Sequence, residues 1–187
     1  MANRPRQSQL VCGLGNPGEE YANTRHNAGF KVVDELAERW GVSYWKSQAG
    51  AETATVERDG LRLILAKPQS FMNTSGGPLS KHCALHEVEP EQVLVIHDEL
   101  DIPAGDVRVK FSGGHAGHNG LRSIIDKLGS RDFSRVRVGI GRPPGSMDPA
   151  DFVLQQLKGE ALEDFGVTVQ TAADIVESCV ADGVPVA

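Results

Sequence analysis

Val11-Cys-Gly-Leu-Gly-Asn-Pro-Gly18 meets the letters of a dinucleotide-binding fingerprint, with Gly13, Gly15 and Gly18 in place. That fingerprint works only when a helix opens at the glycines, so that backbone amides and the helix dipole face a pyrophosphate. Here Pro17-Gly18 breaks the backbone, and the polar run Glu19-Glu-Tyr-Ala-Asn-Thr-Arg25 follows. Apolar residues at helical spacing begin only after His26-Asn27-Ala28-Gly29. The glycines therefore read as a loop at a strand end that leads into Arg25-His26-Asn27. An imidazole in a polar segment beside a tight turn suits catalysis better than it suits a cofactor cradle.

Outward from that loop, residues 9–14 read as a short buried strand. From Ala28 to Trp40 the apolar positions Phe30, Val33, Leu36, Ala37 and Trp40 keep helical spacing, and Gly41 supplies a stop. Residues 53–57 and 61–66 flank Asp59-Gly60, a hairpin signal, and Pro68 ends the second strand. Residues 73–78 form a loop in which Thr74 or Ser75 would cap a helix from about Pro78 to His86. Val93-Leu-Val-Ile-His97 is apolar almost throughout, as strands covered on both faces are, and ends in His97-Asp98-Glu99-Leu100-Asp101. Residues 106–111 and 135–140 alternate; between them lie the glycine-rich loop 112–120 and a helix to about Leu128. Residues 162–180 read as a closing helix and 181–187 as loose. The alternation predicts one α/β domain over 1–187, with 1–8 and 184–187 as loose ends. Its sheet is expected to be twisted, mixed and mostly parallel, flanked by helices in three α/β/α layers.

The bulk composition narrows the function. A chain of 187 residues, 40% of them hydrophobic, can bury one core. No apolar run approaches the ~20 residues of a membrane-spanning helix. The N-terminal stretch also lacks the apolar centre of a signal peptide, so a cytoplasmic protein without membrane contact is expected. Cys12, Cys83 and Cys179 are far apart and odd in number, which disfavours a disulfide scaffold or thiolate zinc site. The net charge is −6, yet between Asp106 and Arg142 eight basic residues oppose three acidic ones, a local +5 that leaves −11 on the remainder. That asymmetry points to an anion-binding face on an acidic body.

Four polar loops, each following a strand, supply the candidates: Asn16 with His26, Asn73, Asp98, and His118 with Asn119. In open α/β sheets the loops beyond the strands' carboxyl ends converge on a crevice. His26 is the candidate general base and Asp98 its orienting carboxylate. Asn16, Asn73 and Asn119 can hold a peptide-like group and polarise a carbonyl. His115-x-x-His118, with His97-Asp98 near it in the chain, leaves a metal alternative open, although no helix sets the spacing and no H-E-x-x-H occurs. No G-x-S-x-G elbow is present for a serine nucleophile. Arg108 and Lys110 share one face of their strand, and Arg135 and Arg137 one face of theirs, as a phosphate patch requires.

Five motifs in order now carry a resemblance. Gly13-Leu-Gly-Asn-Pro-Gly18 with Tyr21-x-x-Thr-Arg-His-Asn-Ala-Gly29 resembles the opening of the bacterial peptidyl-tRNA hydrolase family. Lys67-Pro-x-x-Phe-Met-Asn-x-Ser-Gly76, His97-Asp-Glu-Leu-Asp101, Gly113-Gly-His-Ala-Gly-His-Asn-Gly-Leu121 and Arg135-Val-Arg-Val-Gly-Ile-Gly-Arg-Pro143 are similar to that family's later motifs. The resemblance implies hydrolysis of the ester between a peptide and the terminal ribose of tRNA, with no metal or organic cofactor. It implies His26 as base, Asp98 as its orienter, and Asn73 and Asn119 as positioners of the peptide backbone. It also implies Asn16 as the group that distinguishes N-blocked substrates, and Tyr21, Phe71 and Met72 along the cleft, with His118 beside the substrate. Lys110 and Arg137 would contact tRNA phosphates, helped by Arg108 and Arg135. A monomer is expected. A non-catalytic RNA-binding protein using the same basic face is the alternative from another class.

Overall fold

The computed structural model describes residues 7–182. Seven strands form one sheet in the order β2-β3-β4-β1-β5-β7-β6. They are β1 (Ser8–Gly13), β2 (Lys46–Gln48), β3 (Ala51–Arg58), β4 (Leu61–Pro68), β5 (Val93–Glu99), β6 (Val107–Phe111) and β7 (Ser134–Gly139). The central four, β4-β1-β5-β7, are parallel. Antiparallel β3 and β2 extend one edge and antiparallel β6 the other. The expected mixed, mostly parallel sheet is therefore present.

Period-two alternation sends neighbouring strand residues into two separate cores. Val11, Leu63, Leu65, Leu94, Ile96, Val136 and Val138 face α1 (Ala28–Arg39) and α5 (Gly159–Asp182). Leu10, Cys12, Ile64, Ala66, Val93 and Val95 face α2 (Gly76–Leu85) and α3 (Asn119–Leu128). These two cores make the three α/β/α layers.

The glycines of the opening motif draw strand and helix together. A Cβ on Gly13 would overlap the carbonyl of Gly29, and one on Gly29 would overlap the Leu14 amide and the Ile96 carbonyl. A Cβ on Gly15 would stand 2.6 Å from the Phe30 ring. The start of α1 therefore sits directly on the end of β1, with Phe30 N donating to Leu14 O at 3.2 Å. The glycines thus serve the close approach of α1 to the end of β1.

Several boundaries differ from expectation. Asp98 belongs to β5 rather than to the loop after it. Neither Thr74 nor Ser75 caps α2; Ser75 Oγ donates to Met72 O, and Gly76 N is satisfied by Ser123 Oγ of α3 at 2.9 Å. The short β2 and the five-residue helix α4 (Pro149–Val153) carry too little periodic pattern to be read from sequence. Ser8 already pairs with Arg62, so it is not a loose end. Helix α5 continues through residues 181 and 182 instead of loosening there. The expectations for 1–6 and 183–187 lie outside the described residues. No described helix is long and apolar enough to cross a membrane.

The loop after β6 departs from the expected convergence. Because β6 runs antiparallel to β7, with Phe111 opposite Ser134, its carboxyl end lies at the far end of the sheet from the crevice. Residues 112–118 must climb back along β7 to bring His118 and Asn119 to the site. Arg135 of β7 holds that climb, donating to the carbonyls of Gly113 and Gly114.

Candidate active site

His26 is the middle residue of a 3-10 turn, Arg25–Asn27, that leads into α1. Asn27 fixes this turn to the glycine loop. Its Oδ1 accepts from Asn16 N at 2.8 Å and its Nδ2 donates to Asn16 O at 3.0 Å. Asn16 in turn accepts from Met72 N on Oδ1 at 2.7 Å. Three segments, after β1, before α1 and after β4, are thus joined by two buried asparagines.

The Asp98 carboxylate stands between two imidazoles. Its Oδ2 is 2.9 Å from His26 Nδ1, and its Oδ1 is 2.9 Å from His118 Nε2. His118 is also the N-cap of α3, where its Nδ1 accepts from the amides of Gly120 and Leu121 at 3.1 and 3.3 Å. A nitrogen that accepts two amides carries no hydrogen, so the bonding pattern assigns the ring proton to Nε2, which donates to Asp98. Both oxygens of the carboxylate are then occupied, and the Asp98 side chain cannot rotate away from His26. With His26 Nδ1 donating to Asp98, the remaining nitrogen, Nε2, is left to act as a base.

Opposing forces set the charges here. Burial alone would lift the Asp98 pKa, but the charges and hydrogen bonds of His26 and His118 outweigh it and hold the carboxylate well below its ordinary range. Burial pulls His26 down, while the Asp98 charge and hydrogen bond push it up further, leaving it raised. His97 lies beneath His118, ring centroids 4.9 Å apart, and donates from Nδ1 to its neighbour's carbonyl, Asp98 O. Burial, reinforced by His118, pushes the His97 pKa down to about 3, so it is neutral and structural.

A cleft of about 660 Å³ opens over this arrangement. Asn16, Tyr21, His26, Phe71, Met72, Asn73, Asp98, His118 and Asn119, each named from sequence, all line it. Tyr21 and Phe71 meet edge to face, centroids 6.4 Å apart, with Phe71 exposed at the mouth. Pro149, Ala150, Val153 and Leu154 of α4 and the residue after it supply an apolar wall that the sequence reading missed. Asn27 was missed as well, although its place directly after the candidate base was a usable signal.

Ligating atoms of His26, Asp98 and His118 lie within 4.8 Å of one another. A cation among them would have to displace both N–H donors from the carboxylate, so the donor set favours a hydrogen-bonded triad over a metal centre. His97 and His118 do stand together, ring centroids 4.9 Å apart, but His97 Nδ1 serves Asp98 O and His115 Nδ1 accepts from Gly117 N, and among the described residues His97, His115 and His118 do not form a ligand group.

Arg108 pairs with Arg137 and Lys110 with Arg135 across β6 and β7, so all four share one face. Arg108 and Lys110 are exposed and Arg137 is partly so. Arg135 is not part of the exposed patch, contrary to expectation. It is 2% exposed and donates to the carbonyls of Gly113, Gly114 and Arg131, with its guanidinium 4.4 Å from the Phe133 ring centroid. Burial, then the nearby Arg137 and Arg131 charges, lowers its pKa to about 10.

Residues 10–187 match the family model described as peptidyl-tRNA hydrolase. The peptidyl-tRNA hydrolase of Frankia alni is 54% identical over 174 residues, covering 93% of this chain and 88% of that one. The peptidyl-tRNA hydrolase of Kineococcus radiotolerans is 51% identical over 181 residues, covering 93% and 91% respectively. Among solved structures, the peptidyl-tRNA hydrolase of Acinetobacter baumannii superposes with a TM-score of 0.86 at 34% identity, covering 96% of this chain and 92% of that one.

Proposed function

Since this chain belongs to the peptidyl-tRNA hydrolase family, we propose that its cleft hydrolyses the ester joining a peptide to the terminal ribose of tRNA, with His26 as general base. The supporting observation is the 2.9 Å contact between His26 Nδ1 and Asp98 Oδ2 at the cleft. His26 Nε2 takes a proton from water as the oxygen attacks the ester carbonyl. The tetrahedral intermediate then collapses, the carbon–oxygen bond to ribose breaks, and the imidazolium gives its proton to the departing ribose oxygen, which leaves as a hydroxyl. General-base assistance of this kind contributes roughly 10²–10⁴ in rate. An ester is already activated relative to an amide, so no covalent enzyme intermediate is required.

Asn73 and Asn119 hold the peptide backbone and donate to the oxygen that gains charge. Asn16, with its Oδ1 committed to Met72 N, keeps its amide hydrogens for the cleft and serves discrimination of N-blocked substrates. Tyr21, Phe71 and Met72 pack against the substrate end. Arg108, Lys110 and Arg137 bind tRNA phosphates, which supply affinity without reading bases and so admit many tRNAs. The enzyme acts as a cytoplasmic monomer.

The deciding experiment incubates the protein with N-acetyl-aminoacyl-tRNA beside the unacetylated form. Selective release of the blocked amino acid is expected, and retention of both esters at high enzyme concentration would overturn the reading.

A further inference from the structure

We infer that Arg25 is a positioning residue that ties the apolar wall of the cleft to the turn carrying His26. The inference rests on the reading above, in which the cleft receives the peptide end of the substrate. His26 stands between two anchored neighbours. Asn27 holds the backbone of Asn16 on one side. On the other, Arg25 crosses to α4. Its guanidinium carbon lies 3.9 Å from the centroid of the Phe152 ring. Its Nη1 donates to Phe152 O at 3.3 Å and to Gln155 Oε1 at 3.2 Å.

The same two segments meet at further points. Leu157 N donates to Asn23 O at 2.8 Å, Gln156 Nε2 donates to Glu20 O at 3.1 Å, and Thr24 bridges Gln156. Residues 20–27 and 152–157 are therefore stitched into one unit. Val153 and Leu154, which face the cleft, sit between Phe152 and Gln155, the two residues that Arg25 grips. One guanidinium thus has the base's turn at its root and the apolar wall at its tip. Both hydrogen bonds leave from Nη1 while the guanidinium lies over the Phe152 ring, and it is this flat contact with the ring face that an ammonium group reproduces poorly.

A peptide side chain seated on that wall stabilises the position of α4, and Arg25 carries this position to His26. Proton transfer is sensitive to such placement, since an error of about 1 Å costs on the order of 10² in rate. The substrate feature read here is an apolar residue of the peptide, apart from the tRNA.

The test compares wild type, Arg25→Gln and Arg25→Lys on N-acetyl-aminoacyl-tRNA and on tRNA carrying an apolar tripeptide. The wild type is expected to cleave the tripeptide ester faster, and Arg25→Gln is expected to lower kcat roughly tenfold or more while KM stays within about twofold and to cancel that difference. Arg25→Lys keeps the charge over the ring and recovers part of the loss. If Arg25→Gln does not fold, the same comparison is decided on Arg25→Lys. A loss confined to KM, an unchanged long-to-short ratio, or a wild type indifferent to peptide length overturns the inference. A wild type that cleaves neither substrate counts instead against the proposed function.

Discussion

Asp98 and His118 are joined by a 2.9 Å hydrogen bond on the carboxylate oxygen that His26 does not use. His118 spends its other nitrogen on the first amides of α3. A helix terminus thus fixes a tautomer, the tautomer fixes a carboxylate, and the carboxylate fixes the candidate base. His118→Asn tests this chain of dependence. Asparagine caps helices well, so α3 should persist, but the shorter side chain no longer donates to Asp98. The charge of Asp98 then falls on His26 alone and raises the imidazole pKa further. The kcat/KM profile should lose its acid limb at higher pH than in wild type, with kcat down roughly tenfold.

The pH dependence of the wild type follows from the raised His26 pKa. A base must be deprotonated to act, so activity should fall as pH drops through a value above the ordinary imidazole pKa of about 6.5. Asp98→Asn removes the charge that opposes burial. The acid limb should then move down in pH, while kcat falls by roughly 10²–10⁴ because the amide no longer selects the productive tautomer. An acid limb that stays in place would detach Asp98 from His26.

The basic face divides into two kinds of arginine. Lys110→Ala or Arg137→Ala should weaken tRNA binding and lower the slope of log K against log salt by about one. Arg135→Gln should leave that slope unchanged, because its guanidinium is committed to Gly113, Gly114 and Arg131 carbonyls. It should instead lower stability by about 1–3 kcal/mol, read from urea unfolding. Equal salt slopes for Arg135→Gln and Arg137→Ala would contradict this division.

Asn27→Ala strands the amide and carbonyl of Asn16 in a buried site. A stability loss of about 2–3 kcal/mol is expected, with activity reduced because Asn16 and His26 both lose their reference point. Asn27→Asp keeps the acceptor for Asn16 N but sets a carboxylate oxygen against the Asn16 carbonyl in a buried site, so it should cost at least as much as Asn27→Ala.

Gly29→Ala should be the most damaging small substitution in α1, since its Cβ meets the backbone of Leu14, just after β1, and of Ile96 in β5. Overpacking against backbone typically costs about 1–3 kcal/mol, occasionally more. A urea midpoint near wild type would mean that the strand–helix contact is looser than described.

What the sequence made legible follows a physical division. The apolar run at 93–97 and the helical spacing of 28–40 depend on local pattern, and both elements lie where they were read. The Asp59-Gly60 turn is also local, and both residues adopt the positive φ that a tight hairpin needs. Asn16, His26 and Asn73 could be nominated because polar loops after parallel strands have a known destination; Asn119 was nominated by the same rule, but its loop follows the antiparallel β6 and reaches the site only by running back along β7. Arg135 could not be placed this way: strand alternation gives its face, but whether that face meets solvent depends on where the chain after β6 travels. The five-residue α4 and the reach of Arg25 across to it depend on contacts between residues more than 120 positions apart, which no window of sequence contains.

The ascent of residues 112–118 along β7 makes that segment a measured span. One inserted residue adds as much as ~3.5 Å of chain, more than the whole hydrogen bond between His118 and Asp98 can absorb. Tags, labels and new termini therefore belong elsewhere, and the Asp59-Gly60 turn, where two antiparallel strands simply reverse, is the natural opening for engineering the chain.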